Sequence, residues 1–186
     1  MSIQPMALQV PFTKEQAKAL RAGTKVLISG QVYGARDAAH KRLVELLNQD
    51  KELPVMLQDQ VIYYVGPAPA KAGQVIGPAG PTTSSRMDPY TVPLLQQGVR
   101  GLIGKGYRSP EVIAALIEYG AVYLGTIGGA AALLARHIRA SRVVAFDDLG
   151  PEALFAFEFE NFPAIVVNDV YGNEAYVRPV PDNVLS

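Results

Sequence analysis

Val99–Phe146 reads VRGLIGKGYRSPEVIAALIEYGAVYLGTIGGAAALLARHIRASRVVAF. Short apolar runs alternate here with longer stretches of helical character. Val99–Ile103 predicts a strand. Ser109 before Pro110 supplies an N-cap and a first helical residue, so a helix is expected over Pro110–Tyr119. Ala121–Leu124 is the next strand, Gly129–Arg139 the next helix and Arg142–Phe146 a third strand. Alternation of this kind predicts an α/β fold, a mixed sheet flanked by helices.

Working outward, the upstream half repeats the pattern. Thr13, with Gln16 at the capping-box position, predicts a short helix to Arg21. Lys25–Tyr33 is β-branched and strand-like. Ala35–Leu47 follows as an amphipathic helix with Ala39, Leu43, Leu46 and Leu47 on one face and Arg36, His40 and Lys41 directed elsewhere. Val61–Val65 is a strand that runs into GPAPAKAGQVIGPAGP, where Gly and Pro are too frequent for helix or central strand. A helix is expected from Asp88 as N-cap, limited by Pro93 and ended by Gly98. Downstream, Leu154–Glu160 alternates with period two, Ala164–Val167 and Ala175–Val177 are further strands, and Tyr171-Gly172-Asn173 is a turn between them. These additional C-terminal strands are expected to be antiparallel. We read residues 1–186 as a single domain.

Composition narrows the function. Seventeen basic and seventeen acidic residues cancel, so no electrostatic reason exists to seek nucleic acid or an anionic membrane. There is no cysteine, which excludes disulfides and thiolate metal ligands within the chain. No cluster of His and acidic residues with metal-ligand spacing is legible. The first residues lack a basic segment followed by an apolar stretch, and no apolar run reaches membrane length. A cytoplasmic protein is expected.

Three segments could carry chemistry. Gly77–Arg86, GPAGPTTSSR, places four hydroxyls and an arginine in a Gly/Pro-rich loop before a helix. Glycine permits close backbone approach to a ligand, and arginine can grip a carboxylate with two parallel hydrogen bonds. Composition alone fits an ordinary Ser/Thr turn equally well. Gly104-Lys105-Gly106 follows a strand, where α/β sheets bind ligands, although a lone loop lysine more often only solubilises. Gly34–His40, GARDAAH, lies at a strand-to-helix junction. There Asp37 also suits the helix dipole and His40 a polar face. Together, Arg36, Arg86 and Lys105 beside Thr82 and Thr83 provide what a dicarboxylate needs. A fourth segment, Thr126–Ala132, is a glycine turn into an alanine-rich helix and reads as packing.

IGPAGPTTSSRMDPYT followed by GVRGLIGKG, with SGQVYGARDAAHKRL, GGAAALLA and FPAIVVNDVYGN, resembles the β subunit of class I fumarases and L-tartrate dehydratases, iron–sulfur-dependent hydro-lyases. The resemblance is collinear over nearly the whole chain. It implies a swivelling β/β/α domain and a separate, larger α subunit, or an N-terminal domain in single-chain relatives, that holds a 4Fe-4S cluster through three cysteines, with one iron left open as Lewis acid. A two-plus-two heterotetramer is also implied. Carried over, Arg36, Arg86 and Lys105 hold substrate carboxylates, and Thr82 and Thr83 sit beside the reacting carbons. Thr82 and Lys105 are the catalytic candidates, while Asp37 and His40 have less defined roles. One departure is Gly150-Pro151-Glu152-Ala153, where the family commonly has a GMEA-like segment. Glu152 at that place could still face the site. The activity implied is reversible hydration of fumarate to malate. L-tartrate dehydration is the rival within the class, and a non-catalytic carboxylate-binding module is the rival outside it.

Overall fold

The computed structural model describes residues 4–126 and 130–176. Among them, seven strands form one mixed sheet. In chain order these are β1 (Met6–Val10), β2 (Lys25–Gly34), β3 (Val61–Tyr63), β4 (Gly101–Gly104), β5 (Val122–Gly125), β6 (Ile138–Ala145) and β7 (Leu154–Asn168). The helices are α1 (Lys14–Ala17), α2 (Asp37–Asn48), α3 (Asp88–Gln96), α4 (Pro110–Tyr119) and α5 (Ala131–Ala135).

Strands β2, β3, β4 and β5 run parallel, each paired with the next. β7 pairs antiparallel with both β5 and β2. These pairings close a circuit of β2, β3, β4, β5 and β7, which removes free edges along it. β1 adds to β2 in parallel, and β6 adds to β7 antiparallel.

Strand periodicity then divides the core in two. Tyr63, Ile103, Leu124, Phe157 and Val166 join an apolar cluster built mainly by strands. Their neighbours Ile62, Leu102 and Tyr123 face the other way, against Leu43 of α2, Leu94 of α3 and Leu116 of α4. β3, β4 and β5 are buried at every residue, as expected of parallel strands covered on both faces.

The helix signals act locally as expected. Ser109 accepts from the Val112 amide, Pro110 opens α4, and Gly120 ends it at φ 67°. The Thr13–Gln16 capping box forms, but regular α1 stops at Ala17. Several expectations need correction. Asp88 does not cap its own helix, because its carboxylate accepts from Arg108 and from the Ser109 amide instead. Pro93 sits inside α3 without ending it. The expected 129–139 helix is regular only over Ala131–Ala135, and Ile138 and Arg139 belong to β6. Pairing of Ile138 with Phe159 draws that segment into the sheet. β6 is therefore antiparallel to β7. The two strands expected across 154–167 are one, β7, which continues through Asn161 at φ 51°. Of Ala175–Val177, Ala175 donates to Val167 O, and Glu174 bridges to Asn168. Val177 and residues 127–129 of the glycine turn lie outside the described residues.

Candidate active site at the strand ends

The carboxyl ends of β2, β3 and β4 lie side by side, so their following loops meet at one edge. α2 begins there directly after Gly34-Ala35-Arg36. The Gly/Pro loop after β3 returns to the same edge. The Thr82 amide donates to Tyr64 O at 2.7 Å and the Ser84 amide to Lys105 O at 2.9 Å, while Thr83 and Lys105 form a parallel bridge. Thr82–Ser84 is thus a piece of extended chain held between the extensions of β3 and β4.

Two tyrosines adjacent in sequence hold this loop, Tyr63 through its hydroxyl and Tyr64 through its backbone carbonyl. Tyr63 hydroxyl donates to Ala79 O at 2.6 Å from the strand-lined core. Tyr64 lies on the helix-covered face. Glycine is needed at two contacts. A Cβ at Gly77 would stand 2.3 Å from Ala68 O, and one at Gly104 would stand 2.0 Å from Ser84 Oγ. The GKG and GPTTS elements occur together because the first must be bare for the second to close over it.

Asp37 links the two arginines. Its Oδ1 accepts from Arg86 Nε at 3.0 Å and its Oδ2 from Arg36 Nε at 3.2 Å. Glu152 Oε1 lies 3.0 Å from Arg36 Nε. Among the described residues, Nε makes the hydrogen bonds of both guanidiniums. The terminal nitrogens are left to receive a planar anion. Partial burial pushes the Asp37 carboxyl up. Its own backbone hydrogen bond and the charges of Arg36 and Arg86 outweigh this, so it sits below the usual carboxylate range. It is ionised wherever the arginines need it.

The polar-face reading of His40 needs correction. His40 belongs to the buried face of α2 and is fully enclosed, because its position lies three residues before Leu43 on the same stripe. Nδ1 donates to Arg36 O at 2.9 Å, and Nε2 has no hydrogen-bond partner among the described residues. Burial lowers its pKa to about 4. His40 therefore supports Arg36 from behind and does not line the edge. Lys105 lines a 650 Å³ cleft together with Lys25, Thr126, Ile165 and Tyr176.

Below the loop lies a layer that residue types alone did not single out. The Arg108 side chain is fully buried. It donates to Asp88 Oδ1 at 2.7 Å, Thr91 Oγ1 at 2.7 Å and Tyr64 hydroxyl at 3.0 Å. Ser84 Oγ lies 2.9 Å from Tyr123 hydroxyl, which donates to Gly106 O at 2.9 Å. Asp88 beside the RM pair was the available signal, but it reads equally as a helix cap.

The family model described as fumarase C-terminus matches residues 2–178. The chain belongs to the fumarase C-terminus family. This fumarase C-terminus chain is 44% identical over 160 residues to the anaerobic class I fumarate hydratase of Escherichia coli, covering 84% of the chain and 29% of that protein. It is 40% identical over 168 residues to a fumarate hydratase of Leishmania major, covering 89% of the chain and 29% of the relative. A Methanocaldococcus jannaschii protein named as an L(+)-tartrate dehydratase subunit beta is 38% identical over 171 residues, 89% of the chain and 88% of that protein. The chain thus spans under a third of the fumarate hydratases but most of the tartrate dehydratase subunit.

No group of three or more metal-ligating side chains is assembled among the described residues of the fumarase C-terminus chain. The chain contains no cysteine and so no thiolate side chain. No helix among the described residues is long and apolar enough to cross a membrane.

Proposed function

We propose that this chain is the substrate-gripping β subunit of a two-subunit iron–sulfur hydro-lyase that interconverts fumarate and malate, folded as one swivelling β/β/α domain. The observation that carries this is the Arg36–Asp37–Arg86 linkage, with Thr83 of the same loop as Arg86 bridged to Lys105, at the ends of the parallel strands. A four-carbon dicarboxylate presents two planar anions. Two guanidiniums held by Nε and open at their other edge match them.

In this proposal Arg86 and Lys105 bind the carboxylate next to the carbon that loses a proton. They stabilise the negative charge that develops there. Arg36 orients the distal carboxylate. Thr82 takes part in the proton transfer, and Thr83 contacts the reacting carbons. A free hydroxyl is a weak base, and among the described residues no carboxylate hydrogen-bonds to Thr82. The base that assists it is therefore assigned to a partner α subunit. The same partner carries the 4Fe-4S cluster, to which this chain contributes no cysteine. The two-plus-two assembly rests on the family resemblance.

The test is co-purification with a cysteine-bearing partner, anaerobic reconstitution, and assay with fumarate, malate and L-tartrate. Turnover of fumarate supports the proposal. An intact cluster with no turnover of any of the three overturns it. L-tartrate dehydration is the second reading, favoured by the relative matched over 88% of its length. A higher kcat/KM for tartrate than for malate would select it.

A further inference from the structure

The hydroxyl of Tyr123 occupies a junction that the proposed chemistry does not use. Tyr123 is fully buried in β5, one strand beyond the loops that form the site. Its hydroxyl meets two segments at once. Ser84 Oγ belongs to the Thr82–Ser84 segment, and Gly106 O belongs to the turn that carries Lys105, each at 2.9 Å. The carbonyl can only accept, so the phenol donates to Gly106, and Ser84 donates to the phenol. The Ser84–Tyr123 bond is buried and the Tyr123–Gly106 bond partly so, and away from water a hydrogen bond is stronger and an unpaired partner costs more.

We infer that Tyr123 is a positioning residue that locks the lysine turn to the threonine segment, fixing Thr82 and Thr83 relative to Lys105. Three further features act in the same sense. The Ser84 amide donates to Lys105 O, and Thr83 bridges to Lys105, so the backbones are already in register. Gly104 lets Ser84 descend onto β4. The Arg108 guanidinium packs over the rings of both Tyr64 and Tyr123, at 5.3 and 5.1 Å, and restrains the Tyr123 ring. Removing the hydroxyl leaves the buried Ser84 Oγ and the partly buried Gly106 O without that partner, and the turn is then free to part from the segment. The lock itself stands on geometry alone. Its effect on dicarboxylate affinity rests on the function proposed above.

Two variants of the full chain test the lock, Tyr123→Phe and Ser84→Ala, the second retaining the aromatic core if the first fails to fold. Amide hydrogen exchange is followed at Ser84, which donates to Lys105 O, and at Arg100, which donates to Gln60 O away from the junction. Protection at Ser84 should fall about tenfold more than at Arg100 in either variant, as expected for losing one buried hydrogen bond. The double variant should lose little beyond the single ones. Equal changes at both amides, or none, would show Tyr123 to be a general core residue and overturn the inference. Titration with succinate, a non-reacting dicarboxylate, adds the functional arm. Tyr123→Phe should weaken binding about tenfold in the wild-type background and add nothing to Lys105→Met. Additive losses would overturn the positioning role. Absence of succinate binding by the wild-type complex would count against the dicarboxylate grip, while the exchange data would still decide the lock.

Discussion

At the residue scale, the division of labour within each arginine matters most. Arg86 is half-exposed and its ion pair with Asp37 is solvent-accessible, so the pair contributes little to folding. Arg86→Ala should leave the urea midpoint nearly unchanged. It should reduce kcat/KM of the reconstituted complex by a factor on the order of 30 to 1,000, the usual loss for truncating a charged hydrogen-bonding partner. Arg86→Lys should recover only part of this, because the fork is lost. A matching fall in stability would mean that Arg86 is structural. His40 provides a separate test through pH. Its pKa is depressed to about 4 when folded, against 6.5 as the ordinary value. Between those values the unfolded chain holds a proton that the folded chain does not. Its contribution to stability is therefore present above the ordinary value and is lost as pH falls toward about 4, at up to about 1.4 kcal/mol per pH unit. Urea denaturation at a series of pH values should show that slope, and His40→Leu should flatten it.

At the element scale, α3 and the loop before it depend on one buried cation. Arg108 joins Asp88, Thr91 and Tyr64 across β3, α3 and the start of α4. Arg108→Ala would leave these groups without their partner and should cost about 3–5 kcal/mol of stability, as for breaking other buried ion pairs. Chemical denaturation measures this directly. Gly104→Ala acts on the same element in the other direction. The added Cβ meets Ser84 Oγ at 2.0 Å, so the loop must lift from β4. The far-UV spectrum should persist, while dicarboxylate affinity and the exchange protection of the Ser84 amide both fall. Retained affinity would show that the loop tolerates displacement.

At the scale of the whole molecule, the closed circuit of strands gives the site a rigid base. Its parallel strands all end at the same edge, and Thr82 finds no helper carboxylate among the described residues. The chain alone should therefore bind a dicarboxylate without turning it over. Activity should appear only when a cluster-bearing partner is added, which a coupled assay before and after addition would establish.

The sequence alone determined the elements whose signals are local. Ser109–Pro110 and Gly120 bound α4, the capping box starts α1, and β2 through β5 follow from apolar runs between turns. Motif order also marked Arg36, Thr82, Thr83, Arg86 and Lys105 as one group. The tertiary structure decided what depends on distant partners. β6 reaches back to Ile138 because β7 offers it an edge. β7 runs on through Asn161 because β2 holds it on both sides of the bulge. His40 is buried because Tyr64 and α3 cover its face. Asp88 serves Arg108 and not its own helix, because a buried guanidinium requires a carboxylate more than a helix end requires a cap. In each case the local preference was weak, and a long-range hydrogen bond or burial term outweighed it.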